Sequence, residues 1–274
     1  MKIREAFPTL LERPRLEVKP DYPLLLVLYL LRMREIDAVP LAATGESKDR
    51  AVFGFTSLAK LLTLGPSGFS ALLKKPCRVV SDVLPSLSAD DQVGSLLDAF
   101  ARRRVGFAMV HATGKTKVDA DLVSLSDLLT LYRRGTMKTE LRIRDIGNPT
   151  FSLPPGTSIR TALRAMFRRR HRRVFINEER RYISDRDIMD RLFNPVAVDD
   201  FESGERDPLA LQIGKLPRAS PSRISRDESV FNAVRKLDGD HTTCLLTTND
   251  RVVTPWDLVM KPWLSGKLTF EGKS

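Results

Sequence analysis

The residues whose spacing could do chemistry recur three times, as Ser124-Leu125-Ser126-Asp127, Ser184-Asp185-Arg186-Asp187 and Thr254-Pro255-Trp256-Asp257. Each sets a hydroxyl three positions before an aspartate, where a β-rich run gives way to helical spacing. A hydroxyl at the mouth of a helix sits among the first free backbone N–H groups, at the positive end of the helix dipole, where a phosphate can dock. The carboxylate one turn on faces the same side and can accept two hydrogen bonds from a vicinal diol such as ribose. Phosphate plus diol means nucleotide. The same spacing also spells a capping box, which closes a helix end and binds nothing. Two features favour the ligand: the acid is Asp each time, where capping boxes prefer Glu or Gln, and the motif recurs in register. A fourth stretch, Ser57-Leu58-Ala59-Lys60, carries lysine in place of the diol acceptor.

The elements that must position these motifs form an internal repeat of four copies, which is the feature to establish before any other. Each copy runs through a short extended piece, an amphipathic helix, two β-rich runs and a second helix. The first helices show as apolar residues at i, i+3, i+4, i+7 and sometimes i+8. These are Leu24, Val27, Leu28 and Leu31; Val93, Leu96, Leu97, Phe100 and Ala101; Ile159, Ala162, Leu163, Met166 and Phe167; and Val230, Ala233, Val234 and Leu237. The first of them, PLLLVLYLLRM, is apolar nearly all round, so it is expected to lie between modules or in a dimer contact. The β-rich pairs are AVPLA with AVFGFTS, FAMVHA with ADLVSL, RVFIN with RYIS, and TTCLLTT with RVVT, all rich in β-branched or aromatic residues. The reading is therefore α/β, of the α+β kind: residues 1–135 hold copies at about 16–70 and 77–135, and residues 136–274 hold copies at about 141–194 and 211–265. Between the last two copies, NPVAVDDFESGERDP carries five acids against one arginine, as a solvated linker would.

At 274 residues and 42% hydrophobic content the chain can fill two compact modules. Cys77 and Cys244 stand far apart with no ligand spacing, and MKIREAF lacks the apolar run of a signal peptide, so the expected setting is the cytoplasm. The longest apolar stretch, residues 23–31, is far short of the roughly 20 residues a bilayer crossing needs, which excludes a membrane span. The net charge of +11 favours anionic partners, from nucleic acid to phosphorylated small molecules. Gly114-Lys115-Thr116 lacks the earlier glycine of a P-loop, Met109 standing in its place. His111, His171 and His241 have no zinc spacing, and no nucleophile stands beside a partnered base. No metal, no catalytic cofactor and no enzyme activity are expected. Trp256 and Trp263, flanking the last helix, are read as packing residues.

Paired β-α-β-β-α units of about sixty residues, with a last strand and helix start reading Tyr182-Ile183-Ser184-Asp185-Arg186-Asp187-Ile188, resemble the CBS-domain family, whose tandem pairs are Bateman modules. The lead-in Ile143-Arg144-Asp145-Ile146-Gly147-Asn148-Pro149-Thr150 is similar to the family's as well. The resemblance covers about residues 16 to 265 and is strongest in copy three. It implies four CBS repeats in two Bateman modules, acting as a non-enzymatic sensor of an adenine nucleotide such as AMP, ADP or ATP, and as a homodimer. Carried over residue by residue, it assigns phosphate and ribose contacts to Ser124 with Asp127, Ser184 with Asp187, and Thr254 with Asp257, with Thr150 on the lead-in. Two departures stand out: the family's glycine at the start of the last strand is Asp121, Arg181 and Arg251 in copies two to four, though copy one keeps Gly54, and Lys60 alters copy one's site.

Arg168 to Arg173, RRRHRR, closes the first helix of copy three, and Arg102-Arg103-Arg104 holds the same place in copy two. Cations favour a helix C-terminus in any case. The functional reading is that Arg170, Arg172 or Arg173 reaches a nucleotide phosphate. The alternative function is nucleic-acid binding through these arginine-rich surfaces on the same scaffold.

Overall fold

The computed structural model describes residues 1–10, 16–34, 36–42, 50–53, 71–112, 120–177, 180–193, 203, 207–240 and 242–271. Gly54, the Ser57–Lys60 stretch, Gly114-Lys115-Thr116, His241 and most of the acidic linker lie outside these residues. Seven helices of eight residues or more are described: α1 Leu24–Met33, α2 Val93–Arg103, α3 Leu125–Arg133, α4 Ile159–Arg169, α5 Asp185–Leu192, α6 Val230–Gly239 and α7 Pro255–Leu264. They fall where the 3.6-residue period places them, and Ser158 and Ser229 cap α4 and α6 by accepting from the N–H groups of Thr161 and Asn232.

The three better-marked copies share one sheet plan, a lead-in strand parallel to a central strand that pairs antiparallel with a third. In copy two these are Ser86–Ser88, Phe107–His111 and Ala120–Ser124; in copy three, Ser152–Leu153, Arg173–Ile176 and Tyr182–Ser184; in copy four, Ser222–Ile224, Leu245–Thr247 and Arg251–Val253. Copy one keeps the antiparallel pair Ala38–Pro40 with Arg50–Phe53, and its lead-in is reduced to a bridge from Val18 to Leu41.

By contacts the chain divides into two compact units, neither of them continuous. Met1–Arg15, Leu84–Thr150 and Pro221–Ser274 form one; Leu16–Val83 and Phe151–Ser220 form the other. The first unit therefore holds copies two and four and the second copies one and three, interleaving the sequence halves 1–135 and 136–274. Helix packing is the physical reason. In the first unit α3 lies against α6 and α7, and in the second α1 lies against α5, because these helices carry the broad apolar faces that must be buried. Within the second unit Asp82–Val83 extends copy one's sheet, and within the first Asn148–Pro149 extends copy four's.

In the first unit the core gathers Val93, Leu96, Leu97 and Phe100 of α2 with Leu128, Leu131 and Tyr132 of α3 and Leu258, Val259 and Met260 of α7. The Tyr132 hydroxyl donates to the Leu258 carbonyl at 3.0 Å, and burial pushes its pKa above the ordinary value. Trp263 packs as expected, its ring 3.1 Å from where a Cβ on Gly94 would stand and its Nε1–H donating to Asp98. Met1 to Phe7, given no role above, repeats the lead-in turn of residues 141–147. Ile3–Ala6 and Ile143–Ile146 are both single turns in which Glu5 and Asp145 accept from the N–H of Lys2 and Arg142.

One expectation fails. Phe167 is not in the core but 51% exposed, because at i+8 it has rotated past the edge of the apolar stripe; Ala165 is buried on the opposite edge. The all-apolar α1 buries one face against α5, from the other half of the sequence, and Leu26, Tyr29 and Met33 on its other face are 51%, 41% and 61% exposed.

Candidate functional site

The strand-to-helix junctions hold the three motifs in one geometry. Asp127 Oδ2 accepts from the Ser124 backbone N–H and hydroxyl at 2.8 Å each, and Ser124 Oγ in turn accepts from the Asp127 N–H at 3.4 Å. Asp187 repeats this with Ser184 at 2.7 Å, 2.7 Å and 3.2 Å. Asp257 Oδ2 accepts from the Thr254 N–H at 2.9 Å and hydroxyl at 2.8 Å. All three are therefore capping boxes. Asp at this position reads in the sequence as favouring a ligand over a cap, and the geometry corrects that weight: an N-cap residue in extended conformation, φ −120°, −95° and −121° in the three cases, brings its N–H down to a carboxylate one methylene shorter than Glu. Capping uses one carboxylate oxygen, which leaves the second to decide each copy's chemistry.

The second oxygen separates the copies. Asp187 is half-buried, and among the described residues its Oδ1 takes no hydrogen bond. Asp257 is only 3% exposed, and its Oδ1 accepts from Asn148 Nδ2 at 2.6 Å with Lys261 Nζ 3.8 Å away. Lys261 also donates to Asn148 Oδ1 and the Ile146 carbonyl, at 2.6 Å each. Burial raises the Asp257 pKa against Thr254 and Lys261, and burial lowers that of Lys261 against Asp257. Copy four's motif is thus occupied by the chain itself, through the lead-in strand of copy three. Asp127 is half-buried beside Ser124, which lies across the sheet from Phe107.

The arginines part company. Arg170 is exposed at the end of α4 in the left-handed region, φ 56°, and Arg104 ends α2 at φ 52°, so the repeat extends to a backbone state that glycine usually fills. Arg173 lies directly across the sheet from Ser184. Arg172 turns elsewhere: it donates to Asp37 through both terminal nitrogens, at 3.0 and 3.1 Å, and through Nε to Asp185 at 2.8 Å. Arg186 adds a bond to Asp37 at 3.0 Å. Burial alone would depress the Arg172 pKa, but Asp185 and then Asp37 outweigh it and hold it above its ordinary value. Burial likewise acts against the Asp37 carboxylate, yet Arg172 and Arg186 hold its pKa down to about 2. Arg172 is therefore committed to two carboxylates, and its reading as a phosphate ligand loses its donors. Thr150 follows the Asn148–Pro149 strand, half-buried.

This ionic cluster escaped the reading of the sequence, since Asp37 stands 135 residues before Arg172. Copy two shows its apolar counterpart. The backbone bond from Asp185 N–H to the Arg172 carbonyl recurs as Leu125 N–H to Gly106, and Leu125 presses to 2.7 Å from where a Gly106 Cβ would stand. Among the described residues no three His, Cys, Asp or Glu side chains are grouped to hold a metal ion, and no helix is long and apolar enough to cross a membrane.

The family model of the CBS domain matches residues 143–194, which is copy three. Among solved structures, protein MJ1225 of Methanocaldococcus jannaschii, put forward as an archaeal homologue of γ-AMPK, shares the fold with TM-score 0.79 at 14% identity, over 94% of this chain and 98% of that one. An uncharacterised conserved protein of Pyrococcus horikoshii gives TM-score 0.49 at 12% identity, over 83% and 91%. The CBS domain protein PAE2072 of Pyrobaculum aerophilum, solved with AMP, gives 0.36 at 16%, over 47% and 90%. No curated protein matches the chain in sequence.

Proposed function

We propose that this chain, whose residues 143–194 match the family model of the CBS domain, is a non-enzymatic sensor that binds an adenine nucleotide at the head of α5. The observation that carries this reading is the state of Asp187. One carboxylate oxygen closes the cap with Ser184 while Oδ1 faces no hydrogen-bond donor among the described residues, at the positive end of a helix. A ribose diol would donate to that oxygen, and the phosphates would extend towards Arg173, opposite Ser184, and Arg170 at the end of α4. Ser124 with Asp127, followed by the equivalent Arg104, forms the second proposed site, and Thr150 belongs with the lead-in contacts. Thr254 with Asp257 would bind only if Asn148 and Lys261 released the carboxylate.

Titration calorimetry with AMP, ADP, ATP and S-adenosylmethionine tests this, using the parent and the variants Asp187→Asn and Asp257→Asn. The expected result is binding that Asp187→Asn weakens about tenfold or more and Asp257→Asn leaves within about twofold, since a charge-assisted contact exceeds its neutral version by about 1–2 kcal/mol. No heat from any of the four at millimolar concentration would sink the proposal.

A second reading, nucleic-acid binding, draws on the outward face of α4. Arg164 and Arg168 lie one turn apart on this helix, beside half-exposed Phe167, a ring on which an unpaired base could stack. It predicts binding that falls steeply with salt and survives Asp187→Asn.

A further inference from the structure

The lead-in segments cross copies three and four at the same station. In copy four Asn148 pairs with Val252, two positions before the capping Thr254, and from there its side chain reaches Asp257. In copy three Ala219 bridges Tyr182, two positions before the capping Ser184, with N–H to carbonyl bonds of 3.0 Å in both directions. Alanine brings no side-chain donor, and Asp187 Oδ1 accepts no hydrogen bond among the described residues. The backbone crossing is shared, and the side chain it delivers is not. Copy two goes with copy three: the turn at residues 1–7 repeats the one at 141–147, which puts Pro8, again without a donor, at the place of Asn148.

Asparagine suits the station for a chemical reason. Its Nδ2 donates at 2.6 Å to Asp257 Oδ1, the oxygen that capping leaves over, so the amide stands where a ribose hydroxyl would donate. An amide turned the other way would set its oxygen against the carboxylate. Lys261 prevents this by donating to Asn148 Oδ1 at 2.6 Å while it also holds the Ile146 carbonyl at 2.6 Å. The ion pair alone would hold the carboxylate poorly, since Lys261 Nζ is 3.8 Å from Asp257 and burial moves both groups towards their neutral forms, raising one pKa and lowering the other. Arg251 Nε, donating to the Gly147 carbonyl at 2.9 Å, secures the same strand.

We propose that this station is a gate on the diol-binding carboxylate: Asn148, oriented by Lys261, closes copy four, and Ala219 leaves copy three open. The proposal rests on the ligand reading above and deepens it. Copy four's motif tethers the lead-in strand and takes up no nucleotide at concentrations that fill copy three. Lys261 is a positioning residue, acting on Asp257 through the amide it orients.

Titration calorimetry with AMP and with ATP tests the gate from both ends. Asn148→Ala removes the side-chain donor and keeps the backbone pairing with Val252, and circular dichroism checks that the fold is retained. This variant should bind one more nucleotide per chain than the parent, and adding Asp257→Asn should return the number to the parent's. Lys261→Met should open the same site, with Asp257→Asn again cancelling the gain. In the opposite direction Ala219→Asn should weaken binding at copy three about tenfold or more, to the level of Asp187→Asn. Ala219→Leu adds similar bulk without a donor and should bind as the parent does. A parent that binds while Asn148→Ala gains no site, or Ala219→Asn and Ala219→Leu that behave alike, overturns the gate and leaves the ligand reading standing. A parent that binds neither nucleotide sinks the ligand reading itself, and the gate with it.

Discussion

Replacing Arg172 by methionine is the sharpest test of what holds copies one and three together. The change removes three donors at once: two to Asp37 and one to Asp185. The consequences for the two acids differ. Asp37 keeps Arg186 at 3.0 Å and has a third of its side chain in water, so it loses little. Asp185 is only 2% exposed and has no other cation in reach among the described contacts, so its charge is stranded. Breaking a buried pair from one side costs about 3–5 kcal/mol. Arg172 is itself 36% exposed, so water can refill part of its place, and the expected loss falls to about 2–4 kcal/mol. Copy two supplies the control, because Leu125 stands where Asp185 does and packs without any charge. Arg172→Met combined with Asp185→Leu should therefore recover to within about 1 kcal/mol of the parent, as apolar replacement of a whole buried pair does. Urea unfolding followed by circular dichroism reads both, and acid should narrow the gap between single variant and parent by discharging the stranded carboxylate. A loss under about 1 kcal/mol for Arg172→Met, or no recovery in the double variant, would refute the reasoning.

Asp37, whose pKa in the fold is about 2 against 3.8 for a free side chain, contributes stability that is fully present above pH 3.8 and lost as pH falls through about 2. Allowing for its exposure the contribution is about 1–2 kcal/mol, so Asp37→Asn should flatten the acid limb of the stability profile, and an unchanged limb counts against the cluster. Gly106→Ala drives a methyl to within 2.7 Å of Leu125 and should cost about 1–3 kcal/mol, recovered by pairing it with Leu125→Ala in thermal melts. Tyr132→Phe removes the buried bond to the Leu258 carbonyl and should lower unfolding free energy by about 1–1.5 kcal/mol, with no effect on nucleotide binding. Burial pushes the Cys77 thiol up to about 11, so alkylation at neutral pH should label it only in denaturant.

Much of this protein could be read from short-range pattern alone. The first helix of every copy, each antiparallel β pair and the hydroxyl-to-acid motif appear where period and spacing put them, because backbone geometry within a copy depends on neighbours a few residues away. Where local reading fell short, the cause was usually one of degree: Phe167 lies 100° of helix from Met166, enough to leave the core.

What the tertiary structure alone decided concerns partners. An apolar helix face is the same face whatever it meets, so nothing in the periodicity of α1 or α3 says that copy one packs with three and copy two with four; volume and shape complementarity settle that at long range. The same holds for single atoms. Asp187 and Asp257 occupy equivalent places in equivalent motifs, and their difference comes from Asn148, 109 residues from Asp257, arriving on a lead-in strand, and from Lys261, one turn on in α7. A motif in the sequence sets where a carboxylate points, but the chain folded around it decides whether that carboxylate meets its own protein or remains open to a ligand.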